Sequence, residues 1–179
     1  MKILHIGQMI GGLDVYIRNS ITYSKDDFEY VIVHGVDDKS RPVLKNNCEV
    51  REYLIPLHRD LNVVDDWKAI FEAIRIVKRE HPDVIHCHSA KGGVVGRIAG
   101  FLTGTKTFYT PHAFSFLSSN SMLRQRAYIL IERMVKLNSY LLACSDSERE
   151  IGIKEVHYKK DHALVWNNAV PDAATLIHG

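Results

Sequence analysis

The sequence predicts a doubly wound α/β fold: a mostly parallel, Rossmann-like sheet of about seven strands with helices on both faces. Three observations predict it. Short apolar runs recur along the chain. Segments with helical spacing of apolar residues lie between them. The two alternate to the end of the chain, as crossover connections between parallel strands require.

The elements follow in order. Residues 2–6 (KILHI) form an apolar run ending at Gly7, the pattern of a buried parallel strand. Gly11-Gly12 follow, and Leu13, Tyr16, Ile17, Ser20 and Ile21 recur at helical spacing. Residues 29–34 and 49–55 give the second and third strands, the third closed by Pro56. Val63, Val64, Trp67, Ile70, Phe71, Ile74 and Val77 mark an amphipathic helix that stops at Pro82. Residues 83–88 (DVIHCH) are the fourth strand. The helix over 91–103 carries Gly92, Gly93, Gly96 and Gly100, which points to close packing on the sheet or to backbone exposed to a ligand. Residues 106–110 are the fifth strand, ended by Pro111. A helix over 120–137 is expected to turn Leu123, Ala127, Leu130, Ile131 and Met134 inward. Residues 139–144 are the sixth strand, and Ser145-Asp146-Ser147-Glu148 fits a capping box that starts a helix. Residues 163–166 are a short seventh strand, followed by a turn at Asn167-Asn168 and Pro171.

Composition narrows the function. The 46% hydrophobic and 25% charged content is that of a globular chain rather than a disordered one. A formal charge of +2, with acids and bases interspersed, argues against nucleic acid as a partner. No stretch approaches the ~20 apolar residues of a membrane span, and the first residues lack a signal-peptide pattern. Cys48, Cys87 and Cys144 are odd in number and far apart, so they read as reduced core thiols of a cytoplasmic protein.

In such a sheet, ligands bind outside the carboxyl ends of the strands, where strand order reverses. That rule selects Gly11 and Gly12 after the first strand, and His88, Ser89, Lys91 and Gly92 after the fourth. It also selects Thr110, His112, Phe114 and Phe116 after the fifth, and Ser145, Asp146 and Ser147 after the sixth. A helix starting at Gly11-Gly12 aims unpaired N–H groups at a phosphate, or makes only a tight turn. Gly7, Gly11 and Gly12 do not give a dinucleotide fingerprint, and His34-Gly35 stand where an NAD site wants an acid, though Asp37 and Asp38 lie just beyond. His86 and His88 share a strand face, but no nearby cluster supplies further ligands, so they read as one packed and one cleft-facing histidine, and no metal is expected. His112 fits equally a partner for sugar hydroxyls and a loop histidine satisfied by backbone. Phe114, Phe116 and Leu117 precede a helix with Arg124, Arg126, Arg133 and Lys136. That pairing suits either an anionic lipid surface or a buried loop beside a solvated helix face.

MKILHIGQMIGGLDVYI, PDVIHCHSAKGGVVGRIAG, TFYTPHAFSF, LLACSDSERE and VWNNAVPD occur in that order. Together they resemble the amino-terminal domain of the retaining family 4 glycosyltransferases of the GT-B fold, over nearly the whole chain. The resemblance implies two Rossmann-like domains facing across a cleft, the first binding the acceptor and the second most of the nucleotide sugar. Residues 1–168 would be the first domain and 169–179 the start of a linker, with the donor domain absent, so the chain alone should be inactive. The resemblance assigns His112 to the transferred sugar as the catalytic residue. It sets Gly11 and Gly12 near the donor phosphates. His88, Lys91, Gly92, Phe114 and Ser145 are the further candidates for substrate contact, and Lys91 or Arg97 could reach the acceptor. It implies no cofactor and no metal, a nucleotide-sugar donor, a glycan or lipid-linked acceptor, and work at the inner membrane face in capsule, exopolysaccharide or lipopolysaccharide synthesis. Glu72 and Glu80 have the spacing of the family's donor-domain motif, but they sit in the first domain, and the match reads as coincidence. A flavodoxin-like binding module, or part of a sugar-nucleotide epimerase, remains the alternative.

Overall fold

The computed structural model describes residues 1–35, 41–58 and 62–166. Its strands are β1 (Lys2–Ile6), β2 (Glu29–Gly35), β3 (Leu44–Lys45), β4 (Cys48–Glu49), β5 (Arg51–Ile55), β6 (Val84–His88), β7 (Lys106–Thr110), β8 (Tyr140–Ala143) and β9 (Ala163–Val165). Seven of them form one sheet in the order β5-β2-β1-β6-β7-β8-β9, and every neighbouring pair is parallel. The predicted strand over 49–55 divides in two. Asn46 and Asn47 both take positive φ, 51° and 64°, as a tight hairpin turn needs, so β3 and β4 pair as a separate antiparallel ribbon. The expected turn at Asn167-Asn168 and the linker from 169 lie outside the described residues, as do Asp37 and Asp38.

The helices are α1 (Gly12–Thr22), α2 (Val63–Glu80), α3 (Ser89–Thr103), α4 (Met122–Val135) and α5 (Asp146–Lys154). On one face of the sheet, Ile17 and Ile21 of α1 pack with Met9, Tyr30, Ile32 and Val43. On the other, α2, α3 and α5 cover Leu4, Ile6, Val31, Val33, Ile85 and Leu141. The α3 glycines serve close packing. A Cβ at Gly92 would stand 2.9 Å from the Gly7 Cα and the Ile6 carbonyl, and one at Gly96 would overlap the Cβ of Cys87. Cys87 alone is a core thiol, pushed up to about 12 by burial; Cys48 is exposed and Cys144 half-buried, and none is in a disulfide.

Helix α2 buries only part of the stripe its periodicity suggests, and α4 presents the opposite face. In α2, Ile70, Ile74 and Val77 of the expected stripe pack inward together with Ala69, Ala73 and Ile76, whereas Val63, Val64, Trp67 and Phe71 are exposed. The small alanines let the backbone sit close to α3, so the bulky residues are left outside. Glu80 is also buried; burial pushes its carboxyl up, but hydrogen bonds from Tyr53, Arg51 and Lys2 outweigh that and hold it below the ordinary value. It ties α2 to the sheet edge, which accounts for it without a donor-binding motif.

In α4, Leu123, Ala127, Leu130, Ile131 and Met134 face solvent, against expectation. The inward side carries Tyr128, Ile129 and Glu132. Glu132 is 3% exposed and pairs at 2.9 Å with Arg97, itself 1% exposed. Tyr109 donates to the second Glu132 oxygen at 3.0 Å, its ring lies 3.9 Å under the Arg97 guanidinium, and Arg97 Nε donates to the Gly93 carbonyl at 2.9 Å. Arg97 therefore holds α3 and α4 together and is not available to an acceptor. A charge buried this deeply must meet its partner, so the ion pair fixes which side of α4 faces in.

Removing one partner strands the other charge. Glu132→Ala or Arg97→Ala should each lower the unfolding free energy by about 3–5 kcal/mol, read from urea midpoints. The double replacement Arg97→Met with Glu132→Leu should lose much less than either single change. Comparable losses for singles and double would refute this account of the pair.

Candidate functional site

After β1 the chain moves outward through β2 and β5, then returns to set β6 on the other flank of β1. The loops leaving β1 and β6 run in opposite directions, which opens space at the carboxyl ends of these two strands. The groups gathered there come from the ends of four strands and from helices α1 and α5.

The loop after β1 reaches Gly11, whose φ of 59° and ψ of −132° suit glycine alone, and α1 begins at Gly12. No side chain caps this helix, and a Cβ built on either glycine meets nothing within 4 Å. The first N–H groups of a helix lack intrahelical partners, and no atom of the described residues crowds the two glycines on their Cβ side. This is a place where an anion can approach backbone.

Beside it runs a file of imidazoles. His5 Nδ1 lies 2.9 Å from His88 Nε2, His88 Nδ1 lies 3.2 Å from His112 Nε2, and His112 Nδ1 lies 3.7 Å from the Cys144 sulfur. Tyr16, one turn into α1, sets its ring edge-on to His112 with centroids 4.9 Å apart. His86 faces Thr110, whose hydroxyl is 2.8 Å from its Nε2 and donates onward to the Leu142 carbonyl at 2.8 Å. Burial lowers His5 and His112 to about 4. Burial also lowers His86 and His88 well below the ordinary value, helped by the neighbouring histidines. All four rings are therefore neutral near pH 7. Each carries one donor and one acceptor, so the file runs in one of two concerted senses between His5 and Cys144.

The backbone at this edge is strained. Ser89, His112 and Ala113 take φ of 59°, 53° and 74°, in the region that costs ordinary side chains energy. Glu148 holds the strain in place. One carboxylate oxygen accepts from the Ala113 N–H at 2.8 Å and the other from the Cys144 N–H at 2.7 Å. Half of the expected capping box forms, since the Glu148 N–H donates to Ser145 Oγ at 3.2 Å. The Glu148 side chain is redirected from the cap to these two loop amides.

Gly11, Gly12, His88, His112 and Ser145 thus lie along one edge of the sheet. His88 is fully buried beneath it, bonded to His5 and His112. Lys91, half-buried, pairs with Asp66 at 2.8 Å. Gly92 serves the contact of α3 with β1. Phe114 stands in the core, 6.4 Å from Tyr109 and 5.1 Å from Phe116 between ring centroids, rather than on the open edge. Its partners come from the opposite face of the sheet, which a reading of loop position does not foresee. His5, Tyr16, Cys144 and Glu148 are not among the site candidates that the sequence points to. A histidine inside the apolar run KILHI was the available signal for His5, and the capping box was the signal for Glu148. The expectation that no cluster joins His86 and His88 is corrected: β1 pairs His5 with His86 in register, and ligand atoms of His5, His86 and His88 all lie within 4.8 Å of one another. Only strand pairing brings residue 5 beside residue 86.

Comparison with known proteins gives a family and a fold. The family model for Glycosyltransferase Family 4 matches residues 10–173. A UDP-Gal:alpha-D-GlcNAc-diphosphoundecaprenol alpha-1,3-galactosyltransferase from Escherichia coli is 32% identical over 124 residues, 68% of this chain and 32% of that protein. The capsular polysaccharide biosynthesis glycosyltransferase CapM from Staphylococcus aureus is 28% identical over 94 residues, 50% of this chain and 24% of that one. The chain therefore spans about a third or less of these relatives. Among solved structures, a UDP-N-acetylglucosamine 2-epimerase from Rickettsia bellii superposes with TM-score 0.68 at 11% identity, over 94% of this chain and 45% of that one. HepE from Anabaena, in complex with UDP and glucose, gives 0.64 at 17%, over 95% and 45%. These likenesses show the fold.

The neutral histidines make stability depend on acid. Their folded pKa values lie below the unfolded value of about 6.5, so the unfolded chain takes up protons that the folded chain refuses. With EDTA present, the urea midpoint should stay level above about pH 7 and fall between about 6.5 and 4. His86→Gln should make that fall shallower. An acid limb unaltered by His86→Gln would show that these rings do not set it.

Proposed function

The chain belongs to Glycosyltransferase Family 4, and from that premise we propose that it forms the acceptor-side half of a GT-B active site that moves a sugar from a nucleotide-sugar donor to a lipid-linked glycan acceptor. One observation carries the reading: the uncapped N-terminus of α1 and the ring of His112 lie at the same edge of the sheet, bridged by Tyr16. The leaving nucleoside diphosphate gains negative charge as the glycosidic bond breaks. The dipole of α1, entered through Gly11 and Gly12, stabilises that charge where it develops. His112, neutral and held at Nε2 by His88, exchanges the long 3.7 Å contact of its Nδ1 with the Cys144 sulfur for a sugar hydroxyl and so orients the sugar. The chain's own groups meet the diphosphate without a metal, and configuration is retained. A second domain brings the rest of the donor site.

The galactosyltransferase relative is named for an acceptor on diphosphoundecaprenol, and CapM for capsular polysaccharide. HepE carries UDP and glucose on the same fold. These names support a nucleotide-sugar donor and a membrane-borne acceptor in cell-surface polysaccharide synthesis. The exposed face of α4 supports contact with the membrane that carries it. Leu123 is 79% and Met134 69% exposed, with Leu130 and Ile131 between them, and Arg124 and Arg126 stand on the same helix. A groove of about 660 Å³ lies beside this face, lined by Phe116, Leu117, Arg126 and Arg133. Apolar residues enter the headgroup region while the arginines meet anionic lipid, each basic residue adding about 1 kcal/mol near such a surface. No helix among the described residues is long and apolar enough to cross a membrane. The contact proposed for α4 is a peripheral one, at the cytoplasmic face.

In the full-length enzyme, His112→Ala should cut turnover by about 100-fold, the scale of one lost hydrogen bond to the reacting group. Full rate in that variant withdraws the role of His112. Leu123→Glu combined with Met134→Glu should abolish co-sedimentation with vesicles rich in anionic lipid while leaving the urea midpoint unchanged. Undiminished vesicle binding excludes α4 as the contact.

A further inference from the structure

We propose that His5, His86 and His88 form a binding site for a divalent transition-metal ion of the zinc class, held within the sheet and distinct from the donor site. The inference does not depend on the transferase reading, because all three ligands are fixed by strand pairing.

His5 and His86 are register partners on adjacent parallel strands, and His88 lies two residues further along the same face of β6. One ligand atom from each lies within 4.8 Å of the other two. His5 Nδ1 and His88 Nε2 are 2.9 Å apart, already near the spacing of about 3.3 Å that two nitrogens take around one tetrahedral zinc. The His86 ring centroid is 4.0 Å from that of His88 and 5.3 Å from that of His5, so small ring rotations bring the third nitrogen in.

The protons also balance. Without a metal, a single hydrogen holds His5 Nδ1 against His88 Nε2. An ion in that place needs a lone pair on both atoms. His88 can carry its hydrogen on Nδ1 and donate to His112 Nε2, 3.2 Å away, and His5 can carry its own on Nε2. Such a donation from the distal nitrogen is what orients ligand histidines in metal sites generally. His86 has the same support from Thr110 at 2.8 Å. His5 is 3% exposed, and its Nε2 has no hydrogen-bond partner among the described residues, so His5 is held by its strand and its neighbours rather than by a bond at the distal nitrogen. Buried imidazoles that stay neutral keep their lone pairs for a metal near pH 7.

The donor set decides the class of ion. Three imidazoles without a carboxylate suit zinc, cobalt, nickel or copper and not magnesium or calcium, which want oxygen. Three protein ligands leave a fourth position for water. His86, the half-buried member, gives the ion its way in.

The test is binding of the metal alone to the chain after dialysis against EDTA. Cobalt should bind one per chain with the intense visible absorption of a four-coordinate site, and zinc should displace it. Zinc should also raise the melting temperature. His5→Gln should weaken zinc binding at least tenfold, whereas His58→Gln, outside the cluster, should leave it unchanged. If His5→Gln does not fold, His86→Gln at the half-buried position serves the same comparison. Absence of stoichiometric uptake, or uptake that His5→Gln and His86→Gln leave intact, overturns the proposal.

Discussion

The pairing of β1 with β6 is the constraint on which the rest of the molecule depends. It puts the first and fourth segments of the Rossmann-like pattern side by side and reverses the strand order there. The same register sets His5 against His86 and brings Gly7 under Gly92, so that α3 can lie almost on the backbone of β1. A side chain at Gly92 or Gly96 would lift α3 off the sheet and separate the loops whose convergence makes the site. Packing glycines and site geometry are thus one feature seen from two sides.

The polar interior governs how the outer helices are turned. Arg97, Glu132 and Tyr109 form a buried network in which most polar atoms meet a partner, although Arg97 Nη2 does not. Desolvated charge tolerates no rotation of α4 away from it. The apolar stripe of α4 is left to the solvent side as a result, and a surface suited to lipid arises from a constraint set in the core. On α2 only Val63, Val64, Trp67 and Phe71 are left outside, and for a different reason, since Ala69 and Ala73 permit an approach that bulkier residues would prevent.

At the site, order is maintained by a few groups that do not face the open edge. Glu148 spans the amides of Ala113 and Cys144 and so fixes two loops at once. His88 anchors His112 from below. The left-handed backbone at Ser89, His112 and Ala113 persists because these bonds over-determine it. The imidazole file is kept neutral by burial, which suits it for hydrogen bonding and for metal ligation better than for carrying charge.

The amino-acid sequence by itself determined the alternation of strands and helices, the glycine loop before α1 and the helix start at Ser145. Each of these rests on local spacing and on backbone preferences of neighbouring residues. The ordered motifs also pointed to the family. Tertiary structure alone decided that His5 joins His86 and His88, that Phe114 and Arg97 belong to the core, and that the leucines of α4 face outward. Those outcomes depend on how strands and helices pair, with His88 lying 83 residues from His5 and Glu132 35 from Arg97, and on the cost of leaving charge unpaired in the interior. A periodic pattern shows that a helix has an apolar stripe; which stripe is buried depends on the groups packed against it.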